Sequence, residues 1–251
     1  MDDTLNHRNE KLVDSYFNGL FILLKAIYLN KPISSLMYTV EGGELVGTST
    51  VTTKVASRLS IKRETEPSKT GYKYIKKIFE EKEDDNTPEN IKYLTKLFMK
   101  DRNKLYKRIN KGDKKVVVDR GLISTIIYQS GILNPEITPE DFKRNCEFIY
   151  EYAMDLCIMI PHHTFIIGMD IDENLDDTEY IMNCGIEMGK RAQARGTGED
   201  PMSMVMIARV YAGLMEKVAV DEVLSKMITH VTFTDSLDSI VKKVCDKINE
   251  K

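Results

Sequence analysis

The chain has no excess of basic residues: 36 Lys and Arg stand against 39 Asp and Glu, a formal net charge of -3. Bulk attraction to nucleic acid or to an anionic membrane needs a basic excess or a strongly basic face, so neither partner is expected and any phosphate site must be local. Paired cysteines are also missing. Cys146, Cys157, Cys184 and Cys245 lie far apart with no C-x-x-C spacing, which argues against zinc ribbons and disulfide frameworks and makes a reducing, cytoplasmic compartment the simplest expectation. Nor is there a long apolar run. The most apolar stretch, Tyr16 to Leu29, is interrupted by Asn18 and Lys25 and is shorter than the roughly 18 to 20 residues of a spanning helix. Acidic residues before it and the want of a small-residue cleavage site after it also speak against a signal peptide.

What is present is an ordinary globular composition, 42% hydrophobic and 30% charged over 251 residues, enough for one α/β domain with a continuous core. Val13, Phe17, Leu20, Leu24 and Ile27 recur at three- and four-residue spacing, so residues 9–29 read as an amphipathic helix within an N-terminal extension over 1–33. The domain proper is expected over 34–251. It begins with the short β-rich run Leu36 to Val40, a turn at Glu41-Gly42-Gly43 and a helix from Thr48 to Leu59. A helix after Pro67, another from Thr87 to Asn110, the strand Val116–Asp119, helices near 122–130 and 138–157, the strand Thr164–Ile167, helices near 174–195 and 201–217, the strand Val231–Thr234 and a last helix follow. Apolar strands alternating with helices imply a parallel sheet covered on both faces, with ligands at the carboxyl ends of the strands.

Two of those strand ends carry chemistry. In Glu41-Gly-Gly-Glu-Leu-Val-Gly-Thr-Ser-Thr50, Gly42 and Gly47 have the spacing of G-x-x-x-x-G-K-[ST], with Thr48 in place of the lysine. Backbone N–H groups of Gly42, Gly43, Gly47, Thr48, Ser49 and Thr50 can still face phosphate oxygens, and the Ser49 hydroxyl can still reach Mg²⁺; the point charge is gone. At Val116-Val-Val-Asp-Arg120 an apolar strand delivers Asp119 and Arg120 to its carboxyl end. A carboxylate there can hold Mg²⁺ through water while a guanidinium clamps a phosphoryl group in transit, and phosphoryl transfer needs both. Other features are read more plainly. Asp170 to Asp176 mimics the start of a calcium loop but lacks its glycine and its final glutamate, and His162-His163 has no partner ligand nearby in sequence.

The chain resembles the thymidylate kinase family, whose phosphate loop has the form E-G-x-[DE]-x-x-G-K-[ST]-T and whose second motif is D-R-x-x-x-S-x-x-A-Y-Q. Residues from about 36 to 217 follow that pattern in order, with further similarity at Thr65-Glu-Pro67, Leu97-Phe98-x-x-x-Arg102, Pro161 to Asp172 and Arg209-Val-x-x-Gly213. Two positions depart from it: Thr48 replaces the lysine, and Gly121 stands where an aromatic residue or histidine usually follows Asp-Arg. The resemblance implies a three-layer α/β/α P-loop fold of the nucleoside-monophosphate kinase type, with a mobile lid over about 186–201. It implies ATP and Mg²⁺ as cofactors, small nucleotides as partners, and a homodimer, which members commonly form. It gives Glu44 the carboxylate near the acceptor sugar 3′-hydroxyl, Phe98 the stacking platform for a pyrimidine and Arg102 a hydrogen bond to the base. Ser124 and Thr125 would line the base edge, and Tyr128 would crowd the sugar 2′ position. Arg191 and Arg195 would act from the lid, beside a hinge at Gly196-Thr-Gly198, as in the bacterial-type subclass.

The implied activity is transfer of the γ-phosphoryl of ATP to a pyrimidine deoxynucleoside monophosphate, dTMP first. A 5-modified deoxyuridylate is an alternative acceptor, and a catalytically weak nucleotide-binding or interaction protein is an alternative from another class. Thr48 separates them: a cation elsewhere that reaches the phosphates, with Lys54 and Lys69 as candidates, would favour the enzyme.

Overall fold

The structure is a computed structural model in which residues 3–43, 45–68, 71, 73, 88–134, 136–156, 158–170, 178–196 and 200–250 are described. In chain order these form α1 (Asp3–Asn30), β1 (Ile33–Gly42), α2 (Thr48–Leu59), β2 (Lys62–Thr65), α3 (Pro88–Asn110), β3 (Val116–Asp119), α4 (Leu122–Ser130) and α5 (Pro139–Asp155). After them come β4 (Ile160–Gly168), α6 (Thr178–Arg195), α7 (Pro201–Ala219), α8 (Leu224–Met227), β5 (Ile228–Thr232) and α9 (Leu237–Asn249). Most of the helix expected after Pro67, and the stretch 171–177, lie outside the described residues.

The five strands make one sheet in the order β2-β3-β1-β4-β5, and every neighbouring pair is parallel. The inner parts of β1 and β3 are buried on both faces because helices cover both. Met37, Val116 and Val118 pack on one side with Leu20, Met99, Ile123, Ile149 and Leu214. Tyr38, Val40 and Val117 face the other way, towards Val51, Val55, Phe165, Val241 and Val244. The result is a three-layer α/β/α sandwich: the parallel sheet covered on both faces that the alternation of elements predicts, in the P-loop arrangement that the resemblance implies.

α1 shares the first of these cores. Leu20, Leu24 and Ile27 are fully buried, the Tyr28 hydroxyl meets Thr164 Oγ1 at 2.9 Å, and Lys25 pairs with Asp221 at 2.5 Å. Gly213 of α7 leaves room for the Phe17 ring, whose nearest atom lies 2.6 Å from where a Cβ would stand.

Two elements differ from expectation. β2, Lys62-Arg-Glu-Thr65, is an edge strand with no apolar alternation to announce it. β5 lies upstream of the expected 231–234, because the register opposite Thr164–Gly168 is filled by Ile228–Thr232; Phe233, though fully buried, already belongs to the turn that Asp235 N closes onto Thr232 O at 3.1 Å.

Candidate active site

The carboxyl ends of β1 and β3 sit side by side, with Val40 opposite Asp119. After β1 the chain turns into α2 through Gly47, whose φ of 98° is a left-handed value that suits glycine. Val51 N donates to Gly47 O at 2.9 Å, so the N–H groups of Thr48, Ser49 and Thr50 precede the first intrahelical bond, and no acidic residue occupies the first turn. Such a helix start attracts anions. Thr48 itself is buried. Glu44, like Lys69, lies outside the described residues.

Asp119 is the hub of the site. Its Oδ2 accepts from Ser49 Oγ at 2.5 Å and from Arg63 Nη2 at 2.6 Å, while Arg63 Nε donates to Thr52 Oγ1 at 2.9 Å. Its buried Oδ1 has no hydrogen-bond partner among the described residues. Arg120, with φ 68°, is in a conformation that costs a non-glycine residue about 1 kcal/mol or more. Its backbone N–H donates to Val40 O at 2.8 Å and its Nη1 to Gly42 O at 3.1 Å, and both bonds help to hold it. The guanidinium lies 5.9 Å from the Tyr128 ring centroid.

Beneath the far end of the site runs a buried charge network. Arg102 is 2% exposed and donates from Nε to Glu66 Oε2 at 2.7 Å. Its Nη2 reaches Gly121 O and Thr125 Oγ1, both at 2.8 Å, and approaches Glu66 Oε2 at 2.6 Å. Burial pushes the Glu66 carboxyl up to about 7 against the pull of the Arg102 guanidinium. Glu41 is likewise raised by burial, opposed chiefly by its bond from Ser124. It accepts from Ile123 N at 3.0 Å, Ser124 N at 3.1 Å and Ser124 Oγ at 2.5 Å, so it caps α4 from β1, where the N-cap residue Gly121 offers no side chain. Tyr211 Oη completes the group, 3.0 Å from Ser124 Oγ. A Cβ on Gly121 would stand 2.8 Å from Glu41 Oε1 and 3.1 Å from Tyr106 Oη, which accounts for glycine at this position.

One cavity of about 820 Å³ joins these parts. At one end lie Gly43, Gly47, Thr48 and Ser49 of the loop; Asp119 and Arg120 stand in the middle; Phe98, Arg102, Ser124, Thr125 and Tyr128 line the other end, and Arg195 stands at the rim. Phe98 is half-buried, unlike the buried Leu94 on the same helix. Gly42, Thr50 and Arg191 are not in the wall. Arg191 instead donates from Nη1 to Leu45 O at 3.1 Å and Val46 O at 3.4 Å, and from Nη2 to Phe233 O at 3.1 Å. Lys54 pairs with Asp238 at 3.4 Å, on the surface. Sequence reasoning missed Arg63, Glu41 and Glu66. The signal for Arg63 was its place two residues before Thr65, on the same face of a strand that ends beside Asp119.

Residues 40–176 match the family model described as thymidylate kinase. No curated protein sequence matches. Among solved structures, the chain is similar to deoxyadenosine kinase from M. mycoides with the products dCMP and a flexible dCDP bound, at TM-score 0.57 and 13% identity over 85% of this chain and 98% of that one. It is similar to thymidylate kinase from Ehrlichia chaffeensis at TM-score 0.55 and 18% identity, over 86% of this chain and 100% of that one. At such identities these two structures speak for the shared fold.

Proposed function

The chain belongs to the thymidylate kinase family, and on that premise we propose that it transfers the γ-phosphoryl group of ATP to the 5′-phosphate of a pyrimidine deoxynucleoside monophosphate, dTMP first. One observation carries the reading: a single cavity leads from the loop at the start of α2, past Asp119 and Arg120, to Phe98, Arg102 and Tyr128. Donor phosphates at one end and a base at the other would place the acceptor phosphate beside Arg120.

In this reading the N–H groups of the loop and of the first turn of α2 hold the donor phosphates. An acceptor phosphate oxygen forms the new bond to the γ-phosphorus while the bond to the β-bridging oxygen breaks, giving ADP and a nucleoside diphosphate. Arg120, fixed by its bond to Gly42 O, stabilises charge on the phosphoryl group in flight. Arg195, exposed at the rim, approaches from the lid side, and Arg191 holds the loop through the carbonyls of Leu45 and Val46. Phe98 offers a face for the base, Ser124 and Thr125 line its edge, and Tyr128 crowds the sugar. A hard cation suits the hydroxyl of Ser49 and the carboxylate of Asp119, whose buried Oδ1 has no hydrogen-bond partner among the described residues. When bound, Mg²⁺ would neutralise developing phosphate charge.

A coupled ADP-release assay with ATP, Mg²⁺, a panel of deoxynucleoside monophosphates and the corresponding nucleosides tests the proposal. Turnover with dTMP or a 5-substituted dUMP, well above dAMP and dGMP, is the expected result. Equal binding of purine and pyrimidine monophosphates would remove the case for this pocket, and preferential turnover of a nucleoside would move the acceptor from phosphate to hydroxyl. Thr48 favours a second reading, a nucleotide-binding protein of weak turnover, which a silent panel with tight Mg·ATP binding would support.

A further inference from the structure

A phosphate loop without its lysine needs another cation or must do without one. Thr48 is short, uncharged and buried, and its Cγ2 stands 3.2 Å from where a Cβ on Gly42 would be. The charged side chains around it are mostly engaged elsewhere. Lys54 turns outward to Asp238, and Arg191 is taken up by three backbone carbonyls. Arg102 is buried on Glu66. Arg120 points towards Tyr128, and Lys73 and Arg195 are exposed side chains of the cavity wall.

Arg63 is differently placed. Parallel register sets it beside Val117 and sets Thr65 beside Asp119, so its side chain runs along the α2 face of the sheet towards the loop. Thr52 Oγ1, one turn into α2, anchors Nε at 2.9 Å. Nη2 lies 2.6 Å from the Asp119 oxygen that also takes the Ser49 hydroxyl at 2.5 Å. The guanidinium is therefore one atom removed from the loop hydroxyl. Its side chain is 31% exposed, it lines the cavity, and Nη1 has no acceptor among the described residues.

We propose that Arg63 supplies the positive charge on the β- and γ-phosphates of the donor that Thr48 does not, leaving Asp119 for those phosphates as the nucleotide enters. A guanidinium suits the task, since its planar fork matches two phosphate oxygens at once and it stays charged at any working pH. The anchor at Thr52 lets the outer nitrogens turn while Nε remains fixed. In the resting protein the same group offsets the buried Asp119 carboxylate. The proposal deepens the kinase reading and rests on it for the donor, but not for the acceptor.

The experiment is a cycle of four proteins: natural, Arg63→Ala, Thr48→Lys and Thr48→Lys/Arg63→Ala, each titrated calorimetrically with Mg·ATP and with AMP. Arg63→Ala should weaken Mg·ATP by between about tenfold and a hundredfold, the range of a charge-assisted hydrogen bond, and change AMP by less than about threefold. Thr48→Lys should gain little in the natural protein, where the added ammonium meets a like charge, yet recover most of the lost affinity in Arg63→Ala. Arg63→Lys, which keeps the charge, should lie between, and Arg63→Met, which removes the charge and keeps the length of the side chain, replaces Arg63→Ala in the cycle if urea unfolding shows that the alanine variant does not fold. Equal losses for AMP and Mg·ATP would make Arg63 a brace for Asp119 and overturn the proposal. So would unchanged Mg·ATP affinity in Arg63→Ala, or a gain from Thr48→Lys that is the same in both backgrounds. If no acceptor turns over while the ATP-selective loss and its rescue persist, the acceptor reading fails and the assignment of Arg63 stands.

Discussion

Gly121 offers a sharp test of the packing beneath the end of the cavity lined by Phe98, Thr125 and Tyr128. Its φ of -175° is ordinary extended backbone, so Gly121→Ala probes space and not backbone strain. The new methyl carbon would meet Glu41 Oε1 at 2.8 Å, Tyr106 Oη at 3.1 Å and Thr39 Cγ2 at 3.3 Å. Glu41 cannot swing aside, because Ile123 N, Ser124 N and Ser124 Oγ all hold it. Overpacking of this kind costs about 1–3 kcal/mol, and stretching one of those capping bonds adds about 1 kcal/mol, giving roughly 2–4 kcal/mol in all. With a urea dependence of about 3 kcal/mol per molar for a chain of this size, the unfolding midpoint should fall by about 1 M. The control is Gly189, inside α6, where a Cβ would find only Pro201 Cγ at 3.7 Å; Gly189→Ala should raise stability by about 0.5–1 kcal/mol. A Gly121→Ala midpoint within about 0.2 M of the natural protein would show that the α4 cap yields, and the account of why glycine stands there would fail.

Arg120→Ala should lower turnover by about a hundredfold with at most a few-fold change in Mg·ATP affinity, read by steady-state kinetics beside calorimetry. Unchanged turnover would leave Arg120 as a tie between strand ends. His163, buried on β4 and bonded to Thr229 Oγ1 of β5 at 2.8 Å, is depressed from 6.5 to about 4, chiefly by burial and secondarily by Lys247 and His162. The unfolded chain therefore takes up this proton first. The stability from the neutral ring is complete above about pH 6.5 and is lost as pH falls towards 4, about 1–2 kcal/mol after allowance for solvent screening. Urea midpoints at pH 7.5, 5.5 and 4 should show the decline, and His163→Gln should flatten that part of the curve.

That Ser49 and Asp119 would meet at one site was legible because each residue belongs to a motif whose place on the fold is fixed: one opens the helix after a glycine turn, the other closes an apolar strand. The sheet was legible for a similar reason, since Val116-Val-Val has few homes other than a doubly covered strand. Arg63 was not. Lys62-Arg-Glu-Thr65 carries no apolar period, and only the parallel register of an edge strand brings it to Asp119. The network of Glu41, Glu66 and Arg102 was hidden too, because three charged residues separated by dozens of positions look like surface until the fold buries them together. β5 was displaced in the reading by Phe233, whose side chain is buried although its backbone has left the strand.

Arg191 gives the molecule a mechanical linkage. Leu45 stands at φ 61°, a left-handed value that a leucine resists, and the arginine clasps the consecutive carbonyls of Leu45 and Val46 while also gripping the turn after β5. α6 is thus a lever whose fulcrum lies against the loop between β1 and α2. A swing of that helix cannot leave the loop untouched: it either carries the two carbonyls along, changing the aim of the N–H groups that follow, or first lets go of them. Should α6 carry the lid of the proposed kinase, opening of that lid and slackening of the loop's hold on phosphate would be one event, and product would be released by the same movement that uncovers it.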